Sequence, residues 1–457
     1  ERRYNPQSRT ILSVISLVSY VLTKVAVTVY AGGLVFQQVF GIKELWGIDF
    51  FWIAAIGLVV LTALYTIFGG MKSVLYTSVL QTPILLLGSL IILVLGFKEL
   101  GGWDEMMRVC GAVTVNDYGD TMTNLIRSND DANFPWLGAL IGSAIIGFWY
   151  WCTDQFIVQR VLSGKNEKEA RRGTIFGAYL KLLPVFLFLI PGMIAFALHQ
   201  KYIGAGGEGF LPMLANGTAN ADAAFPTLVA KLLPAGVKGL VVCGILAALM
   251  SSLASLFNSS AMLFTIDFYK RFRPETPEKK LVGIGQIATV VIVILGILWI
   301  PIMRSVGDVL YTYLQDVQSV LAPGIAAAFL LGICWKRTSA QGGMWGLIAG
   351  MIIGLTRLGA KVYYSNAGEV ADSTFKYLFY DMNWLFFCGW MFLFCIIVVI
   401  VVSLATEAPT AEKIQGLVFG TATKEQKAAT RASWDHWDII HTVIILAITG
   451  AFYWYFW

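Results

Sequence analysis

The sequence predicts an all-α, polytopic membrane protein, and three observations carry that prediction. Hydrophobic residues make up 57% of the 457 and charged residues only 13%, whereas a soluble domain has roughly 25% charged residues. The mean hydropathy is +0.70. The apolar residues also gather into eleven runs, each near the roughly 20 residues that cross about 30 Å of hydrocarbon as a helix. Barrel strands would be about ten residues long with strict alternation, a pattern found nowhere in this chain.

The runs fall at 11–40, 50–69, 73–97, 135–160, 174–198, 238–266, 281–303, 309–335, 340–360, 383–405 and 439–457. They are apolar on all sides, as expected for helices embedded in lipid and in one another. The intervening loops set an orientation. Twenty Lys and Arg lie in alternate loops counted from the N-terminus, against eleven in the opposite set. The positive-inside bias therefore predicts a cytoplasmic N-terminus and an external C-terminus. Loops 98–134 and 199–237 are then external, and the first carries seven acidic residues against three basic ones. The net charge of +5 reports topology and gives no sign of a nucleic-acid partner.

Several motifs carry little chemistry. GIGQIA at 283–288 matches a dinucleotide fingerprint but lies inside an apolar run with no strand before it. GAGGEG at 204–209 reads as a flexible loop, and Asn216-Gly217-Thr218 is a glycosylation sequon. The six Cys form no CxxC pair, and His199, His436 and His441 are scattered over run ends. No nucleophile–base set appears, so an enzyme is not expected.

Polar groups at membrane depth remain, and these are costly enough to be functional candidates. Lys181 lies seven residues into its run, in GAYLKLLPVFLF, with Pro184 and Pro191-Gly192 expected to loosen the backbone nearby. Lys24 lies among Thr23, Thr28 and Tyr30. Snorkelling to the interface is the bland alternative for both lysines, and it weighs more for Lys24 than for Lys181. Ala248, Ser251, Ser252, Ser255 and Ser259 make one small, hydroxyl-lined helix face. It fits a tight helix seam or a site for a hard cation that wants oxygen ligands. GFWYWCTDQFIVQR at 147–160 ends an aromatic cluster on Thr153, Asp154 and Gln155. Tyr311, Tyr313, Gln315, Asp316 and Gln318 precede a break expected at Ala322-Pro323-Gly324.

The stretches FGGMKSVLYTSVLQT, WYWCTDQFIVQRVLSGK, GAYLKLLP, LVVCGILAALMSSLASLFNSSAMLFTIDFYK and LAPGIAAAFLLGICWKR occur in order over most of residues 1–340. In these the chain resembles the sodium:solute symporter family, specifically its sodium/glucose cotransporter branch. The resemblance implies a LeuT-like fold of two inverted five-helix repeats with substrate at midplane among broken helices. It implies that residues 1–97 are three helices of the first repeat, with three helices of that branch preceding Glu1, so that this chain alone would not transport. Residues 98–134 become an external loop, 135–336 the second repeat, and 337–457 peripheral helices.

Residue by residue, the resemblance assigns Lys181 and Gln315 to sugar hydrogen bonds and Tyr150 to an inner gate with Trp151 beside it. Tyr311 becomes an outer-gate aromatic, and Ala248, Ser251 and Ser252 become sodium ligands. Gly147, Gln318 and Ser78 depart from the family pattern, and Ser78 leaves ion stoichiometry or proton use open. The implied function is sodium-coupled sugar uptake across the cell membrane, with sodium, a sugar and the lipid bilayer as partners and no obligate protein partner evident. A non-sugar solute such as sialic acid, inositol or an amino acid stays open, as does a sensor that moves little solute.

Overall fold

The computed structural model describes residues 1–214, 217–306, 309–367 and 371–456, with the backbone alone for residues 65, 67–78, 80 and 304–306. α1 (Pro6–Ser19) starts on Asn5, whose side-chain oxygen accepts from the Ser8 amide, and Pro6 takes the first position, where no donor is needed. A π-helical turn, Tyr20–Val25, carries the span into α2 (Ala26–Phe40), which ends on left-handed Gly41. A short hairpin then departs from the all-α expectation. β1 (Glu44–Leu45) pairs antiparallel with β2 (Ile48–Asp49) across Trp46 and Gly47, at φ 56° and 75°. Two positive φ values give the turn whose twist matches a hairpin.

α3 (Phe50–Leu100), capped by Asp49, is helical throughout, so the loop expected between 69 and 73 is not there. Glycine lowers helix propensity by only about 1 kcal/mol, and no proline stands between 69 and 73 to stop propagation. α4 (Trp103–Gly111) lies in the long loop after it. α5 (Trp136–Cys152) and α6 (Gln155–Leu162) meet at a 48° bend. α7 (Glu167–Pro184) and α8 (Ile190–Gly204) are joined by a π-helical segment, Val185–Leu189. This is the loosening expected from Pro184 and Pro191, each of which removes a backbone donor.

α9 (Ala224–Leu232) closes the second long loop. α10 (Ala235–Met262) passes through a π-helical stretch, Leu263–Tyr269, into α11 (Lys270–Phe272). α12 (Glu278–Val306) contains residues 283–288, so the dinucleotide-like motif is helix interior. α13 (Leu310–Cys334) continues unbroken past Pro323, which corrects the expected break. α14 (Ala340–Asn366), capped by Ser339, holds it in place. A Cβ on Gly324 would meet the Gly350 Cα at 3.0 Å and the Gly346 oxygen at 3.2 Å, so glycines let the two backbones touch. α15 (Thr374–Lys376), α16 (Trp384–Ala405), α17 (Ala411–Ile414), α18 (Lys424–Ala432) and α19 (His436–Tyr455) complete the chain.

Among the described residues nine helices are long and apolar enough to cross a membrane, or ten with α5 and α6 counted as one bent span. Phe50–Leu64 is apolar but shorter. The expected count of eleven separate spans is therefore not reached, since runs 50–69 and 73–97 share the single helix α3.

The chain divides into two compact units. The first comprises Glu1–Lys24, Arg127–Ile175 and Ser259–Thr442, with a core of Ile15, Ile146, Trp149, Ile325, Leu347 and Cys388. The second comprises Val25–Ile126, Phe176–Asn258 and Val443–Trp457, with a core that includes Ile92, Met106, Ile194, Leu198, Leu228 and Val241.

Candidate functional site

The break between α5 and α6 is written locally in the sequence. The Trp149 carbonyl accepts from the Thr153 amide at 3.0 Å, the Asp154 amide at 3.1 Å and the Thr153 hydroxyl at 2.8 Å. Asp154 then caps the new helix, its carboxylate accepting from the Phe156 amide at 3.2 Å. Aspartate is a favoured cap because its oxygen satisfies an amide that the first turn leaves unpaired.

The same carboxylate forms a buried ion pair with Lys24, which stands on the π-helical turn after α1. Tyr20 donates its hydroxyl hydrogen to Asp154 at 2.9 Å and accepts from the Phe156 amide at 3.1 Å. The Lys24 ammonium lies 4.3 Å from the Phe156 ring centroid, 4.6 Å from Tyr20, 5.5 Å from Tyr150 and 5.8 Å from Trp149. Lys24 is thus no snorkelling residue, and the interfacial alternative fails for it. A charge so deep persists because a carboxylate and four ring faces replace its water. The sequence flagged Lys24 and Asp154 separately, and nothing in their spacing of 130 residues paired them.

Tyr150 is half-buried on the last turn of α5, and Trp151 beside it is 52% exposed. A Cβ on Gly147, one turn earlier, would meet nothing within 4 Å. On α13, Tyr311 is 56% exposed and Gln315 half-buried. Tyr313 is buried, accepting from the Trp299 indole at 2.6 Å and donating to the Leu22 carbonyl at 2.9 Å.

Asp316 is paired with Lys361 and lies 3.6 Å from Arg357, both on α14. Sequence reasoning missed these partners because it counted Lys361 and Arg357 as charges of an external loop. Arg357 is wholly buried and donates to the Leu378 and Met382 carbonyls. Removing the two from the eleven leaves nine basic residues on that side against twenty, so the bias keeps its sign.

In the second unit, Lys181 is exposed near the end of α7. Ala248, Ser251 and Ser252 lie on one continuous stretch of α10, with Ser251 buried and the other two half-buried. The Ser255 hydroxyl donates to the Ser251 carbonyl at 2.9 Å, and Ser255 and Ser259 are fully buried. The hydroxyl face therefore serves at least partly as packing. Ser251 and Ser252 keep hard oxygens of the kind a sodium ion takes, and the Ala248 carbonyl has a second lone pair beyond its helix bond. The candidates thus fall as Tyr150, Trp151, Tyr311 and Gln315 in one unit, and Lys181, Ala248, Ser251 and Ser252 in the other.

His199 is a buried structural histidine whose Nδ1 accepts from the Leu211 amide at 3.0 Å. A 560 Å³ cavity in the first unit, lined by Leu17, Val21, Phe264, Ile284, Val291 and Leu295 among others, contains none of the candidates, and its apolar walls offer a sugar nothing to bond. Among the described residues no group of three or more His, Cys, Asp or Glu could hold a metal. Asn216 and the Ser78 side chain lie outside the described residues.

Comparison with known proteins then decides the family. The model of the sodium:solute symporter family matches residues 1–350. The chain belongs to that family. The family's description is of sodium:solute symport. It is 35% identical to the Bos taurus sodium/mannose cotransporter SLC5A10, over all of this chain and 79% of that protein. It is 35% identical to the Homo sapiens sodium/myo-inositol cotransporter 2, over 90% of this chain and 62% of that protein. Identity to the Ovis aries sodium/glucose cotransporter 1 is 37%, over 87% of this chain and 61% of that protein. The chain thus spans less than two thirds of the length of the latter two. A solved structure described as the substrate-bound outward-open state of a Na+-coupled sialic acid symporter superposes with a TM-score of 0.63 at 20% identity. The match covers 89% of this chain and 76% of that one. The family member therefore has the LeuT-like fold.

Proposed function

We propose that this family member carries out sodium-coupled uptake of a sugar or a cyclitol by alternating access. Lys181 and Gln315 hydrogen-bond the substrate hydroxyls, Tyr150 with Trp151 closes one side of the site, and Tyr311 closes the other. Donors and acceptors at fixed positions suit a polyhydroxyl ring, and an aromatic face suits its apolar side. Sodium is held by the Ala248 carbonyl and the Ser251 and Ser252 hydroxyls. Its binding favours the outward-facing state, in which the substrate then finds a better-formed site. The membrane potential contributes about 2.3 kcal/mol per charge per 100 mV.

In this reading residues 1–97 belong to the first inverted repeat, 135–336 form the second, 98–134 is an external loop, and 337–457 is peripheral. The N-terminus faces the cytoplasm and the C-terminus the outside of the cell membrane.

One observation carries the reading: relatives named for mannose, glucose and myo-inositol all match this chain at 35–37% identity. These solutes share a six-membered ring bearing several hydroxyls. Myo-inositol is kept as a second substrate reading because the myo-inositol cotransporters of four further mammals match at 34–36%. Uptake of labelled mannose, glucose and myo-inositol by the product of the full-length gene, with and without a sodium gradient, tests it. Sodium currents without solute accumulation would turn the reading to a sensor.

A further inference from the structure

The Lys24–Asp154 pair stands apart from every residue given a role above, yet it touches the one that the reading places at the gate. Lys24 lies near the middle of the 35-residue span Pro6–Phe40. Its side chain is 9% exposed and that of Asp154 2%. Packing alone does not call for two charges there, since a neutral pair of the same shape fills such a space as well or better. What an ion pair adds is geometry. Asp154 is tied to Lys24, to the Tyr20 hydroxyl and to the amide that opens α6. Its own amide is tied back to the Trp149 carbonyl, one residue before Tyr150.

The Tyr150 ring is also one wall of the aromatic box around the ammonium, at 5.5 Å from ring centroid to Lys24 Nζ. Turning the end of α5 therefore opens the box and pulls the Asp154 cap in one movement. The groups facing the pair are Tyr20 from the π-helical turn, Trp149 and Tyr150 from α5, and Phe156 from α6. The guanidinium of Arg160 lies 5.5 Å from the Phe156 ring centroid.

We propose that Lys24 and Asp154 form a latch that fixes the break between α5 and α6 and so holds the Tyr150 ring in its gate position. Both are positioning residues, and neither touches the substrate. The proposal rests on the reading of Tyr150 as a gate.

The test uses the transporter expressed in cells, with the exposed Cys243 and Cys334 replaced by serine so that exposed Cys152, two residues before Asp154, reports on the break. Either single neutral variant strands a buried charge and can fail to fold. The informative variant is therefore the shape-preserving double, Lys24→Met with Asp154→Asn. A latch makes this double raise the substrate KM by roughly three- to thirtyfold, more than it lowers Vmax. It also makes Cys152 react faster with a membrane-permeant maleimide. A purely structural pair lowers the number of folded transporters, so Vmax falls while KM and the Cys152 rate stay put, and that result overturns the proposal. Tyr150→Ala separates the two levels. If it leaves KM unchanged, the gate reading falls, and the hold on Tyr150 falls with it. If it raises KM while the double variant changes neither KM nor labelling, the gate reading stands and the latch alone is refuted.

Discussion

Arg357 offers a test of buried-charge coupling that needs no assumption about substrate. Its guanidinium is fully buried, donates to the Leu378 carbonyl at 3.3 Å and the Met382 carbonyl at 2.7 Å, and lies 4.1 Å over the Phe387 ring. It also stands 3.6 Å from Asp316. Arg357→Met keeps the stem and removes the rest. Hydrogen bonds from a charged donor contribute about 1.5–3 kcal/mol each, and the ring contact about 0.5–2 kcal/mol. The desolvation of a buried cation, several kcal/mol, is relieved at the same time. Lys361 still neutralises Asp316, so the net loss should be about 2–4 kcal/mol. Arg357→Lys should cost less, about 1–2 kcal/mol, because one ammonium cannot span two carbonyls and a ring. The assay is the fraction of purified protein that stays monodisperse after a graded heat challenge. Combined with Asp316→Asn, Arg357→Met should be less destabilising than the sum of the singles by about 0.5–3 kcal/mol. Wild-type stability in Arg357→Met, or strict additivity with Asp316→Asn, would refute the coupling.

The candidate site yields further expected outcomes. Gln315→Ala should leave substrate hydroxyls unpaired and weaken apparent substrate affinity by roughly 5- to 150-fold with little change in sodium affinity, as read by substrate titration of uptake. Lys181→Arg should fail nearly as badly, because a planar fork does not replace a compact ammonium; wild-type affinity in that variant would return Lys181 to snorkelling. Ser252→Ala should raise the sodium concentration for half-maximal uptake by removing a hard oxygen, and unchanged sodium dependence in both Ser251→Ala and Ser252→Ala would leave only the helix seam. Gly147→Asn should fold normally, since a Cβ there meets nothing within 4 Å, and should alter substrate affinity; an unstable protein would show that the space is not open.

The helices were legible because composition and run length alone decide which segments can satisfy their backbone in lipid. The π-helical segment between Pro184 and Pro191 was legible for the same kind of reason, proline's missing donor. Pro323 was misread because the outcome depends on a partner: glycines at 346 and 350 let α14 lie against Gly324, and the packed helix continues. The hairpin at 44–49 was missed because four strand residues make no periodic signal. Lys24, Asp154, Lys181, Gln315, Asp316 and the serines of α10 were flagged one by one, as polar groups where polarity is costly. Their pairings were not. Lys24 with Asp154, and Arg357 and Lys361 with Asp316, join positions far apart in sequence that only the folded chain brings together.

Sodium-coupled uptake is tested most directly by solute accumulation in cells or proteoliposomes carrying the product of the full-length gene, under an imposed inward sodium gradient. A hexose or myo-inositol should accumulate above its external concentration, replacing sodium with choline should abolish the accumulation, and a sodium ionophore should collapse it. Accumulation of equal size in choline, or none of these solutes entering under any gradient while the protein sits folded in the membrane, would contradict sodium-coupled transport of a polyhydroxyl ring.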